Sequence, residues 1–194
     1  MKYFILTLVT VFTIVNIQAQ TLNKGYYITQ NNDTIATQIR FPKGFFGQNN
    51  FTNKIEVRDS LNGTKQFEPI DIKGYGFTTE QGYKYNFLSK PVNDGSFKFL
   101  SPVYIGPKVS LYQYAIHTSG SGTSLASQQV FYTFEKNKTD YLFVVGRATK
   151  HFKNKLKEFF PEDPKVQEAI DERINYWNEM KRDLIEILLI ANRK

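Results

Sequence analysis

The sequence predicts an α+β domain: an antiparallel β region (meander, open barrel or sandwich) followed by a C-terminal helical segment. Three observations carry that expectation. Short runs of alternating apolar and polar residues recur from Lys24 to Gly146, with turn residues every 8 to 12 positions or so. No helical period is interleaved among them, which argues against parallel βαβ units. From Arg147 onward the apolar residues recur instead at helical spacing.

In chain order, the first segment reads as an export signal. Met1-Lys2 supplies the cation, Tyr3 to Val15 the apolar run, and Asn16-Ile17-Gln18-Ala19 the polar approach to a small residue. Cleavage is expected between Ala19 and Gln20, making residues 1–19 the signal peptide. The apolar run is shorter than the about 20 residues that a spanning helix needs, so the chain is not expected to be transmembrane once cut. Localisation is then periplasmic or secreted. The chain has no cysteine, which excludes disulfides, thiolate metal sites, a cysteine nucleophile and a lipidated cysteine.

The strands follow. Gly25–Thr29 and Thr34–Phe41 flank Gln30-Asn31-Asn32-Asp33, residue types that tolerate left-handed backbone angles and close a hairpin. Lys54–Arg58 alternates apolar with charged, and Leu61-Asn62-Gly63-Thr64 is a second turn. Tyr75–Thr78 and Tyr83–Leu88 bracket Glu80-Gln81-Gly82. Ser96–Leu100, Val109–Tyr114, Val130–Phe134 and Tyr141–Val145 complete the series, with Asn137-Lys138-Thr139-Asp140 as the last turn. Ser119-Gly120-Ser121-Gly122-Thr123-Ser124 is a polar loop.

The helices come last. Ala148, Phe152, Leu156 and Phe159 form one stripe, ended by Pro161. Asp163-Pro164 offers an N-cap with proline at the first helical position. Val166, Ile170, Ile174 and Trp177 line the next face, and Met180, Leu184, Leu188 and Ala191 continue it after a break near Asn175–Asn178. Such stripes are stable only when buried, so residues 147–194 are expected to pack on the sheet of residues 20–146 as a single domain.

The chemistry-bearing residues do not converge on a reaction. The glycine/serine loop lacks the lysine of a P-loop, and His117 near Ser119 lacks a nucleophile elbow. The two histidines, His117 and His151, have no metal-ligand spacing, and no cofactor is expected. Asp33, Glu68 and Asp71 could serve as paired acid and base, although Asp33 suits a turn and Asp71 a strand start. Tyr26, Tyr27, Phe45, Phe46, Tyr75, Tyr83 and Tyr85 could form a sugar- or peptide-binding platform or pack in the core.

With a formal net charge of +7, the clearest charged feature is the first helix. Arg147, Lys150, Lys153 and Lys157 are its candidate partner-binding residues, Lys150, Lys153 and Lys157 sharing one face, with His151 and Lys155 nearby. An ordinary solvated helix face is the competing explanation. After export the partner would be an envelope protein or an anionic glycan or lipid surface, and nucleic acid is not expected. The expected function is a non-enzymatic binding module of the envelope or exterior; the alternative is a hydrolase or glycan-processing enzyme using Asp, Glu and Tyr side chains.

Several short segments carry a resemblance. The signal ends Ala19-Gln20, and the next strand opens Lys24-Gly25-Tyr26-Tyr27-Ile28-Thr29 and returns at Asp33-Thr34-Ile35. Pro69-Ile70-Asp71-Ile72-Lys73-Gly74-Tyr75-Gly76-Phe77, Val109-Ser110-Leu111-Tyr112, Asp183-Leu184 and Asn192 follow. Together they resemble a group of uncharacterised exported proteins of the Bacteroidota, with Thr37 where that group has glycine. The resemblance implies export and architecture, and no activity or catalytic residues.

Overall fold

The computed structural model describes residues 22–40, 51–59, 63–118, 127–145, 150–174 and 179–193. The expected signal peptide with its expected Ala19/Gln20 cut, Phe45, Phe46, Arg147, Ala148 and Trp177 lie outside them, as do the side chain of His117 and the loop from Ser119. Among the described residues are ten strands: β1 (Leu22–Ile28), β2 (Thr34–Arg40), β3 (Ile55–Asp59), β4 (Gly63–Phe67), β5 (Gly74–Thr78), β6 (Lys84–Pro91), β7 (Phe97–Tyr104), β8 (Val109–Thr118), β9 (Ser127–Lys136) and β10 (Asp140–Val145). The helices α1 (Lys150–Phe159), α2 (Pro164–Arg173) and α3 (Met180–Ala191) follow. A helical turn at 51–53 precedes β3.

All ten strands join one open antiparallel sheet in the order β10-β9-β8-β7-β6-β5-β1-β2-β3-β4. β1 to β4 run outward as a meander. The chain then returns so that β5 takes the free side of β1, and β5 to β10 run outward the other way. The hairpin turns use the expected residues: Asn32 (φ 71°), Asn137 (φ 54°) and Lys138 (φ 65°) adopt left-handed angles, which match the twist of the flanking strands.

The structure departs from the sequence expectation in two ways. β4 was foreseen only as the far side of the Asn62-Gly63 turn, because Gly63, Thr64, Lys65 and Gln66 are all exposed and only Phe67 is buried; nothing alternates. β8 and β9 also run further toward the polar loop than their apolar cores, to Thr118 and from Ser127. Each satisfies the other's backbone there, with Ile116 paired to Gln129, so pairing outlasts side-chain burial.

Register decides the faces. Directly paired residues share a face, which puts Ile39, Val57, Phe67, Tyr75, Phe77 and Phe99 on the same side as Leu111, Phe134 and Val144. The β1–β6 half of this side forms one apolar cluster with Phe51 and Ile72. The other half is covered by the helices, whose Phe152, Leu156, Val166, Ile170, Leu184 and Ile187 pack with Leu111 and Phe134. The stripes read from the sequence are thus the buried faces. Asp163 caps α2 as its position suggests, accepting the N–H groups of Lys165 and Val166 at 3.1 and 3.2 Å.

The opposite side holds a small apolar cluster of Val92, Leu100 and Tyr112 and a buried polar one. Glu135 on β9 accepts both contacts of the Lys90 ammonium on β6 at 2.7 and 2.8 Å, the Tyr112 hydroxyl at 2.7 Å and the Tyr141 hydroxyl at 3.0 Å. β6 and β9 are three strand spacings apart, about 14 Å on a flat sheet, more than one lysine and one glutamate can span. The sheet is therefore curled with this side inward.

Two glycines permit close approaches. A Cβ on Gly25 would lie 2.4 Å from the Gly76 carbonyl oxygen and 3.0 Å from Ile39 and Phe77, so β1 could not keep its place between β2 and β5. Gly25→Ala is expected to cost about 1–3 kcal/mol, read as a lower thermal midpoint with unchanged far-UV circular dichroism at low temperature. A Cβ on Gly106 would lie 2.5 Å from the Asn192 side chain. That asparagine follows α3 and accepts the Lys108 and Val109 N–H groups at 2.9 and 3.0 Å while donating to the carbonyls of Val109 and Leu188 at 3.0 and 2.8 Å. It pins the end of α3 to the β7–β8 turn.

Candidate functional site

α1 is amphipathic, with Phe152 and Leu156 buried and its lysines distributed around the remaining face. Gln167 of α2 fixes its far end by donating to the carbonyls of Lys157 and Phe160 at 2.8 and 2.7 Å. The four candidate cations meet different fates. Arg147 is outside the described residues, and Lys150 is exposed. Lys157 pairs with the Asp171 carboxylate of α2, and the Lys153 ammonium donates to the Asp171 carbonyl at 3.2 Å. Two of the expected partner-binding lysines thus belong to the α1–α2 junction.

Besides Lys150, the open side of the helix carries His151 and Lys155. His151 and Lys155 border a cleft of about 400 Å³ between α1 and the β9–β10 edge of the sheet. Lys155 has no ion pair or hydrogen bond among the described residues. The walls are aromatic: Tyr114 stacks on Phe131 with ring centroids 4.9 Å apart and planes at 11°, and Phe143 and Phe152 close the sides. Because β10 is the edge strand, residues of both sheet faces reach the cleft, Thr133 and Phe143 from one and Tyr132 and Val144 from the other. No carboxylate borders it among the described residues.

Its polar groups are chemically quiet. Burial raises the pKa of the Tyr132 hydroxyl, and burial together with the Asp94 charge raises that of Tyr114, so both stay neutral at physiological pH. Thr133 is 1% exposed and its hydroxyl has no hydrogen-bond partner. The sequence signal for the cleft was the basic helix; the aromatic wall of β8–β10 was legible only as strands.

The remaining candidates separate. Asp33 accepts the Thr29 hydroxyl at 3.4 Å and Asp71 the Glu68 N–H at 2.8 Å, both exposed turn contacts. Of the aromatic set, Tyr75 is buried and stacked against Phe87 at 4.8 Å, Tyr27 packs on Phe67 at 4.7 Å, and Tyr26 donates to Asn86 on the other side of the sheet. Tyr83 and Tyr85 are left exposed. The described residues contain no group of three or more His, Asp or Glu side chains placed to hold a metal ion, and none of their helices is long and apolar enough to cross a membrane.

Sequence reasoning missed Glu135. Burial pushes its pKa up, but hydrogen bonds from Lys90 and Tyr112, the Lys90 charge and the Tyr141 hydroxyl more than compensate and leave it lowered. A carboxylate so saturated holds strands together and has no lone pair to offer a substrate proton. The other buried carboxylate, Asp183, sits on α3 on the far side of the sheet. Compared with protein-family models, with curated proteins and with solved structures, the chain finds no match in any of the three.

Proposed function

We propose that the chain is an exported, non-enzymatic binding module of the bacterial envelope or exterior that holds its partner at the α1 side of the sheet. The observation that supports it is the cleft, where the unpaired Lys155, His151 and aromatic walls meet with no carboxylate among the described lining residues. Among the described residues the two buried carboxylates, Glu135 and Asp183, lie on opposite sides of the sheet and are not set across a cleft as in glycosidases. The signal-like residues 1–19 and the resemblance to exported Bacteroidota proteins support the location.

The test is recovery of the chain from its own envelope, with native and intact mass spectrometry on the same sample. The expected result is a species starting at Gln20 that carries a stoichiometric partner or ligand, lost in Lys155→Met. A bare chain that hydrolyses ester or glycoside substrates would replace this function with the enzymatic alternative.

A further inference from the structure

We propose that the cleft between α1 and the β9–β10 edge binds a small aromatic carboxylate, an inference that rests on the binding function above and names its ligand class. Its size suits a small molecule, since a volume of about 400 Å³ falls within the range of roughly 300–1,000 Å³ usual for such sites. The near-parallel rings of Tyr114 and Phe131, with Phe143 and Phe152, offer flat apolar surface. Ring pairs of this kind favour a further offset-stacked ring over a flexible chain.

Lys155 is the charged side chain among the described residues lining the cleft, has no counter-ion among them, and follows His151 by one helical turn; the Asp94 charge acts on Tyr114 from outside the lining. The lysines on the α2 side of the same helix are engaged by Asp171; Lys150 is exposed at the start of the helix, and Lys155 is the lysine that lines the cleft. Thr133 adds an independent sign. Its buried hydroxyl is unsatisfied, a state that costs free energy until an acceptor arrives, and it shares its sheet face with Tyr114, Phe131 and Phe143.

The probe is 2-naphthoate, titrated calorimetrically into the exported chain at neutral pH. Its uncharged counterpart 2-naphthylmethanol and the acyl carboxylate decanoate are titrated alongside. Naphthoate is expected to bind one per chain and about tenfold more tightly than the alcohol. Lys155→Met is expected to abolish that margin while leaving the alcohol's affinity unchanged. Thr133→Val, which keeps the side chain's shape, is expected to weaken naphthoate roughly threefold or more while the melting temperature of the free chain stays the same or rises.

Equal affinity for acid and alcohol, tighter binding of decanoate, or an unchanged naphthoate affinity in Lys155→Met would overturn the ligand class. A chain that ignores naphthoate yet keeps a macromolecular partner from its envelope would overturn it too, with the binding function left standing. Turnover of ester or glycoside substrates would overturn both.

Discussion

Glu135→Ala is expected to lower the free energy of unfolding by about 3–5 kcal/mol, among the largest single effects in the molecule. The side chains of Glu135 and Lys90 are only 8% and 19% exposed, so removing the carboxylate strands an ammonium and the Tyr112 hydroxyl inside the curl of the sheet, while the Tyr141 hydroxyl keeps the Lys138 carbonyl at 3.3 Å. Lys90→Met with Glu135→Leu removes both charges together and is expected to recover most of the loss. Urea denaturation of the two single variants and the pair checks this, and plain addition of the single costs would mean the pair is not coupled.

The same cluster sets a pH profile. Glu135 has its pKa lowered from the ordinary 4.5 in the folded chain, so its contribution is intact above that value and is lost as pH falls through the lowered one. The Tyr141 hydroxyl is pushed up to about 12 from 10.0, by burial and then by the Glu135 charge, and Tyr112 is raised by burial and its bond to Glu135. Tyrosines raised in this way stabilise fully below pH 10.0 and lose that contribution as pH rises through their folded values. The stability difference between the native chain and Lys90→Met/Glu135→Leu should therefore be flat at neutral pH and shrink at both extremes.

Asn192→Ala is expected to cost about 2–4 kcal/mol, because it strips partners from the buried Val109 N–H and carbonyl and unfastens α3 from the β7–β8 turn. Gly106→Ala should cost nearly as much by a different route, since its new methyl group occupies the place of the asparagine side chain. The combination is then expected to be no worse than Asn192→Ala alone, a coupling of the kind seen for residues that share one contact. Denaturant midpoints of the three variants decide it; additive losses would show that Gly106 is needed for something other than clearing that space.

Local chemistry made much of the fold legible. Asn-Gly and Asn-Asp turns announced hairpins, Asp163-Pro164 announced α2, and the stripe from Val166 to Ala191 announced a helical face that needs burial; which half of the sheet it covers was not announced. What escaped was non-local. Nothing in Gly63-Thr64-Lys65-Gln66 alternates, so β4 gave no periodic signal, and no short segment says that β5 returns to the far side of β1. The candidate site was half legible for the same reason. Helical spacing put Lys153 and Lys157 on one face, but only the packing of α2 shows that Asp171 takes both, leaving Lys155 to the cleft. Glu135 looked like any strand-end acid, because its lysine partner lies on a strand 45 residues away.

The position of β1 also shapes how the chain acquires its structure. Its pairing with β2 is local and closes through the five residues Thr29 to Asp33, whereas Lys24 must find Thr78 across roughly fifty residues of intervening chain. The ring closed by that encounter contains the whole β2–β4 meander. Every other strand pairing is made with a sequence neighbour. Folding of the sheet therefore has one slow long-range step, the docking of β5 on β1, between two series of quick local ones. Until it happens the molecule is two unconnected ribbons, and one strand joins them.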